Sequence, residues 1–196
     1  MNNFLRIGQN AATMPLLLEL QRQPELWNRD LERLDFAGSP HRETSDVWLR
    51  YKDKRPHVES GDFSGFNDPH YGVWYPSYYA LPAARPLIFS LMSSVLGEAL
   101  GGVLIYKIPP GKRIYPHVDT GWHVEYFDKF NLALQCDPNT VFRYPGSGEE
   151  MRVQTGDVHW FRNDLEHEVV NEGKEDHIVM TVCIHVDKGG QSCLSQ

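Results

Sequence analysis

From Val103 to Val186 the chain reads as short apolar segments cut apart by turns, and that spacing restricts the fold more than any other feature. Eight segments have strand character: Val103 to Ile108, Ile114 to Val118, Phe130 to Cys136, Thr140 to Tyr144, Met151 to Gln154, Asp157 to Phe161, Glu168 to Asn171 and Ile178 to Val186. Pro109-Pro110-Gly111, Asp137-Pro138-Asn139 and Pro145-Gly146-Ser147-Gly148 separate several of them, and these residue types favour the φ angles of tight turns. Short strands at such spacing predict an antiparallel sandwich or barrel.

The first half has a different texture. Leu16, Leu17, Leu18, Leu20, Leu26, Leu31 and Leu34 give an apolar face through residues 13 to 34, which Pro24 divides into two short helices. Their leucines are read as packing against the core. Asp46 to Tyr51 is a strand. Seven aromatics between Phe63 and Tyr79, set among Gly, Pro, Asn and Ser, predict a structured loop that is neither helix nor strand. It either plugs an end of the β core or lies over a site, with Tyr71, Trp74 or Tyr75 lining a pocket. Pro82 to Leu100 has helical spacing and ends at Gly101-Gly102. The expected organisation is a single domain over 1–196: a helical and loop part (1–102) packed on a β core (103–187) that carries the site, then a tail (188–196).

Composition excludes several functions. Twenty-six acidic against nineteen basic residues give a net charge of −7, opposite to the basic face of a phosphate-backbone binder, so nucleic acid is not an expected partner. No apolar run approaches the roughly 20 residues that span a bilayer, so no membrane role is expected. Met1 to Arg6 lacks the pattern of a secretory signal, and Cys136, Cys183 and Cys193 are an odd number without a CxxC pair. A cytoplasmic protein with reduced, passive thiols is expected.

The chemistry concentrates in Tyr115-Pro116-His117-Val118-Asp119-Thr120. Residues two apart on an extended segment point to one face, so His117 and Asp119 aim an imidazole and a carboxylate into one space, as adjacent metal ligands do. A second element begins at His167, 48 residues after Asp119 and after two or three hairpins, at the start of a strand that can return to the HxD segment. Two histidines and one carboxylate on one side of an ion leave positions open, the arrangement of non-haem Fe(II) oxygenases, whereas a closed structural zinc site wants a fourth protein ligand.

With these residues in order the chain resembles the iron- and 2-oxoglutarate-dependent dioxygenases, and among them the aspartyl/asparaginyl β-hydroxylase family. The resemblance covers roughly residues 35 to 187. It is carried by His41-Arg42-Glu43-Thr44 before the strand Asp46 to Tyr51, by Pro110-Gly111, and by Pro116-His117-Val118-Asp119. Phe130-Asn131-Leu132-Ala133-Leu134, Gly156-Asp157-Val158-His159-Trp160-Phe161 and His167-Glu168-Val169 complete it. It implies a double-stranded β-helix, a cupin-like jelly roll, with iron at its mouth held by His117, Asp119 and His167. It also implies 2-oxoglutarate as cosubstrate and O2 as oxidant, with succinate and carbon dioxide released as a substrate C–H bond is hydroxylated. The substrate class expected is an amino acid, a peptide side chain or another carboxylate-bearing small molecule.

The chain departs from that pattern at two points. The arginine that the family places about ten residues after the second iron histidine, facing the far carboxylate of 2-oxoglutarate, is His177 here, and the histidine on the strand after HxD is Asn131. His177 is therefore expected to hold that carboxylate with Tyr106 and either Lys129 or Arg143, and Asn131 to donate hydrogen bonds. His123 is read as touching substrate or solvent, and His159 and His185 as core histidines. The basic group Arg42, Arg50, Lys52, Lys54 and Arg55 is read as a solvated face. Two other functions fit less of the pattern: a cupin-like metal oxygenase or isomerase without 2-oxoglutarate, and a non-catalytic β-sandwich binding module.

Overall fold

A computed structural model of the protein describes residues 3–186. The expected tail at 188–196, with Cys193, lies outside the described residues, as do Met1 and Asn2. The strands are β1 (Phe4–Gly8), β2 (Ser45–Tyr51), β3 (Val73–Trp74), β4 (Gly97–Ile108), β5 (Arg113–His117) and β6 (Asp128–Gln135), followed by β7 (Thr140–Tyr144), β8 (Glu149–Met151), β9 (Val158–Phe161), β10 (His167–Asn171) and β11 (His177–Val186). The helices are short: α1 (Met14–Arg22), α2 (Arg55–Ser60), α3 (Pro76–Ala80), α4 (Ala84–Ser94) and α5 (Trp122–Tyr126).

Two antiparallel sheets face each other as a jelly roll. One has seven strands in the order β1-β9-β6-β11-β4-β2-β3, the other four in the order β5-β10-β7-β8. The large sheet is covered on both sides, and its strands show this in their alternation. On β11, Ile178, Met180, Val182 and Ile184 pack with Leu16, Leu20, Ile88 and Leu91 of α1 and α4, whereas Val179 joins Phe4, Ile108, Ile114, Phe142 and Val169 between the sheets. The outer cluster is the larger of the two. Tyr106, Ile114, Phe142, Phe161 and Val169 of the inner one line a cavity between the sheets.

Asn171 ties the sheets together. It is fully buried at the end of β10, and its amide donates to the Ile108 carbonyl of β4 and to the Glu175 carbonyl, both at 2.8 Å. Its side-chain oxygen accepts from the Thr140 hydroxyl of β7 and the Gly173 N–H, both at 3.0 Å. All four hydrogen-bonding positions of the carboxamide are used.

Several elements differ from the sequence reading. The helix read to Leu100 stops at Ser94, Leu96 turns the chain at φ 54°, and Gly97 to Gly102 extend β4 by pairing with the end of β11. A Cβ on Gly97 would lie 2.4 Å from Ile184, so the absent side chain permits that approach. The second opening helix shrinks to one 3-10 turn at Pro24–Leu26. The aromatic loop contains β3 and α3, and β1, which the sequence reading did not give, joins the large sheet together with β2, which it did give at Asp46 to Tyr51. No helix of the described residues is long and apolar enough to cross a membrane.

Replacing Asn171 by Ala strands the Ile108 and Glu175 carbonyls and the Thr140 hydroxyl inside the protein. At about 1 kcal/mol or more for each unsatisfied buried group, urea unfolding should show a loss of roughly 2–4 kcal/mol. A loss below about 1 kcal/mol would remove Asn171 as the tie between the sheets.

Candidate metal centre and active-site cavity

The last residue of β5 and the first of β10 are direct cross-strand partners, His117 opposite His167, with ring centroids 4.4 Å apart. Each Nδ1 lies 2.8 Å from the carbonyl oxygen two residues earlier, Tyr115 for His117 and Leu165 for His167. A carbonyl only accepts, so each Nδ1 carries the proton and each Nε2 presents a lone pair. Asp119 follows where β5 has ended. Its N–H donates to the Asn163 carbonyl at 3.0 Å, and the Asn163 amide donates to its Oδ2 at 3.2 Å. The Lys129 ammonium from β6 also contacts Oδ2, while Oδ1 stands 3.5 Å from His117 Nε2.

One donor atom from each of His117, Asp119 and His167 lies within 4.8 Å of the others. This is within reach of one ion, and the donor set suits Fe(II) with open positions. Burial alone would push the Asp119 carboxyl up, but the Lys129 charge beside it holds it well below the usual carboxylate range. Burial lowers His167 to about 4 against the opposing pull of Asp119. Both groups are therefore in their metal-binding protonation states at neutral pH.

The three donors face a cavity of about 300 Å³. Tyr106, Lys129 and Asn131 line it, and Asn131 Oδ1 accepts from the Thr181 hydroxyl at 2.7 Å. Trp48, Phe66 and His123 contribute to its wall, so His123 belongs to the cavity, and the aromatic loop supplies Phe66 and Asn67. Tyr71 is 97% exposed, and Trp74 instead stacks on Tyr78 at 3.8 Å between ring centroids.

Two expected cosubstrate contacts are corrected. Arg143 does not turn inward: Phe142 and Tyr144 take the inner face of β7, so alternation sends Arg143 outward, where its Nε bonds Glu168 at 2.7 Å. His177 does face between the sheets, but it lies behind Tyr106 and Asn131 in a smaller cavity shared with His159. Burial keeps both imidazoles neutral, His177 near 4 and His159 near 3. Among the described residues, His177 Nδ1 and both nitrogens of His159 have no hydrogen-bond partner. His185 is not a core histidine, since it stacks half-exposed on Tyr126 at 4.2 Å.

Sequence reasoning overlooked Arg33 and His41, which line the cavity from the stretch between α1 and β2. The His41 ring lies 4.9 Å from that of His117. No periodicity marks either residue, because irregular chain places them, and His41 entered only as part of a segment that carries the resemblance, with no role assigned. Within the basic group, Lys54 pairs with Asp30 and Glu32 and Arg55 with Asp53.

The buried histidines fix a pH dependence. Their folded pKa values, about 3 for His159 and about 4 for His177, lie below the unfolded value of about 6.5, so the unfolded chain binds more protons between these limits. Stability is complete above pH ~6.5 and falls as pH drops toward 4. In His159→Leu, which removes an unpartnered buried imidazole, the fall in unfolding free energy from pH 7 to pH 5 should be shallower by about one proton. Identical slopes for both proteins would show that His159 does not take part.

The comparisons with known proteins agree with this geometry. A family model for aspartyl/asparaginyl β-hydroxylases matches residues 77–185, more than half of the chain, including all three donor residues. No curated protein matches in sequence. Among solved structures, the fold is shared with a prolyl hydroxylase from Trichoplax adhaerens in complex with a hypoxia-inducible-factor peptide fragment. That match has 13% identity, covers 100% of this chain and 89% of that one, and has a TM-score of 0.59. It is also shared with a Pseudomonas putida prolyl-4-hydroxylase (14% identity, 95% and 94% covered, TM-score 0.53). A viral collagen prolyl hydroxylase of Paramecium bursaria Chlorella virus-1, solved with 2-oxoglutarate, is a third (10% identity, 95% and 97% covered, TM-score 0.52). At these identities the structures share the jelly roll alone, and the family follows from the sequence model: the chain belongs to the aspartyl/asparaginyl β-hydroxylase family.

Proposed function

We propose that the protein is an Fe(II)- and 2-oxoglutarate-dependent hydroxylase of an amino acid, a peptide side chain or another small molecule that bears a carboxylate. The observation that carries this reading is the set of two Nε2 lone pairs and one carboxylate facing a cavity from one side. His117, Asp119 and His167 are the metal ligands in this reading, and residues 1–196 form one dioxygenase domain. The pairing of β1 with β9 and of β2 with β4 supports that unity. A cytoplasmic setting accords with Cys136 and Cys183, which form no disulfide among the described residues.

Iron with 2-oxoglutarate and O2 supplies the oxidation, coupling release of succinate and carbon dioxide to insertion of oxygen into a C–H bond. The chain's own residues supply the rest. The Tyr115 and Leu165 carbonyls fix the imidazole tautomers, and Asn163 and Lys129 hold Asp119 charged and oriented. Trp48, Phe66 and Phe161 wall the cavity with apolar surface that excludes water. Tyr106 and Asn131 present polar atoms from the large sheet toward the cosubstrate. His177 forms the floor behind them and is not its counter-ion, because an imidazole neutral at pH 7 brings no charge. A peptide fragment is held by the Trichoplax prolyl hydroxylase of the same fold, which makes peptides a sensible first substrate class beside free amino acids.

Anaerobic addition of Fe(II) and 2-oxoglutarate should give a weak visible charge-transfer band that is absent in His117→Ala. Succinate release with candidate amino acids and peptides then identifies the substrate. Metal binding without the band would replace this reading by a metal oxygenase or isomerase that does not use 2-oxoglutarate. Absence of metal binding would leave a non-catalytic recognition module.

A further inference from the structure

The family resemblance calls for a fixed positive charge facing the cosubstrate's far carboxylate, and β11 does not provide it. Three permanent cations line the cavity: Arg33, Arg50 and Lys129. The Lys129 ammonium is taken up by Asp119. Arg50 donates to the Gly101 carbonyl at 2.9 Å and lies 5.5 Å from the Trp74 ring, toward β3. Arg33 remains, and its surroundings are those of a built binding group.

One edge of the Arg33 fork is committed. Nε donates to Asp46 Oδ2 at 2.7 Å and Nη2 to Oδ1 at 2.9 Å. Asp46 is fully buried on β2, and its backbone is locked to Asn28 by hydrogen bonds of 3.0 and 2.8 Å. A guanidinium has five donors in a rigid plane, so fixing Nε and Nη2 on one carboxylate also fixes where Nη1 and the second Nη2 hydrogen point. Those donors have no acceptor among the described residues, and the side chain is 21% exposed within the cavity wall. The backbone is pinned as well. The buried Ser39 hydroxyl donates to the Arg33 carbonyl at 2.7 Å and accepts from the His41 N–H at 3.1 Å, which ties the two missed residues into one wall. Asp46 is the cross-strand partner of Tyr106, and the Arg33 guanidinium carbon is 5.9 Å from the Tyr106 ring.

We propose that Arg33, oriented by Asp46, is the carboxylate-binding group of this cavity and takes the distal carboxylate of the cosubstrate from the β2 side, in place of an arginine on β11. The proposal rests on the hydroxylase reading above. A committed edge on Asp46 and a free edge toward the cavity let a second carboxylate dock end-on without moving the side chain. Burying a complete ion pair beside a cavity is a costly way to gain stability and a direct way to aim a charge.

The test compares 2-oxoglutarate with 2-oxopentanoate, which has the same chelating head and a methyl group where the distal carboxylate would be. Both are titrated anaerobically into the Fe(II) protein, with the charge-transfer band as readout. The wild type should bind 2-oxoglutarate at least about 10-fold more tightly, the ratio expected of charged hydrogen bonds. In Arg33→Met the 2-oxoglutarate affinity should fall to that of 2-oxopentanoate, whose own affinity stays within about 3-fold of wild type. If Arg33→Met does not fold, Arg33→Lys keeps the charge but loses the fork and should lose affinity for 2-oxoglutarate alone. A band with no preference in the wild type, or a preference that survives in both variants, overturns the assignment of Arg33 while leaving the hydroxylase reading intact. No band with either acid overturns that reading and this assignment with it.

Discussion

The site depends on the register between β5 and β10. In an antiparallel pair the residues directly opposite each other hold their side chains about 5 Å apart on one face, and here that place is occupied by His117 and His167. A slip of one residue would send one imidazole to the outer face of the small sheet. The register is held from both ends of β10: the inner apolar positions Ile114, Phe142 and Val169 pack against the large sheet, and Asn171 is bonded to β4 and β7. The two candidate imidazole donors are thus positioned by strand pairing and not by loop geometry. Asp119, the one donor beyond a strand end, needs its own tether and has it in Asn163 and Lys129.

Much of this was legible in the chain because strands report their burial in alternation. Thr140 to Tyr144 was readable to the residue, and the other seven C-terminal segments were found with ends displaced by a few positions. His117 and His167 were legible for the same reason, as strand residues, whereas Asp119 was found by its place in HxD but lies past the end of β5, where Asn163 and Lys129 and not strand alternation aim it. The N-terminal half resisted. Gly97 to Gly102 looks like the end of a helix locally, and only pairing with β11 makes it a strand. β1 has too few residues to show a period and is decided by its partner β9. Arg33 and His41 sit on irregular chain whose path is set by Ser39, Asn28 and Asp46, contacts between residues with no common spacing.

Arg143 and His177 show a further limit. Sequence supplied the residues, His177 at a family position and Arg143 on a nearby strand, but function needs charge and direction together. Arg143 has the charge and faces outward to Glu168, while His177 has the direction and, buried among apolar neighbours and facing neutral His159, lacks the charge. Neither property is visible without the fold, because one depends on which face of β7 is inner and the other on how completely the small cavity excludes water.

The distribution of charge around the cavity follows from the same logic. A bare guanidinium near a dication would be repelled by it in a medium of low dielectric, so the charge must be neutralised when the cavity is empty yet available when an anion enters. Pairing Arg33 with a fully buried Asp46 meets both requirements: the pair is close to neutral as a unit, but its outward edge carries only donors. Lys129 with Asp119 obeys the same rule on the metal side, where the ammonium offsets a ligand carboxylate and stops it from drawing in a proton. The cavity thus has two compensated ion pairs in its wall, one beside the metal donors and one beside Tyr106. A dianion with two carboxylates can set one of them on the free Arg33 edge, whereas a monoanion leaves that edge unsatisfied.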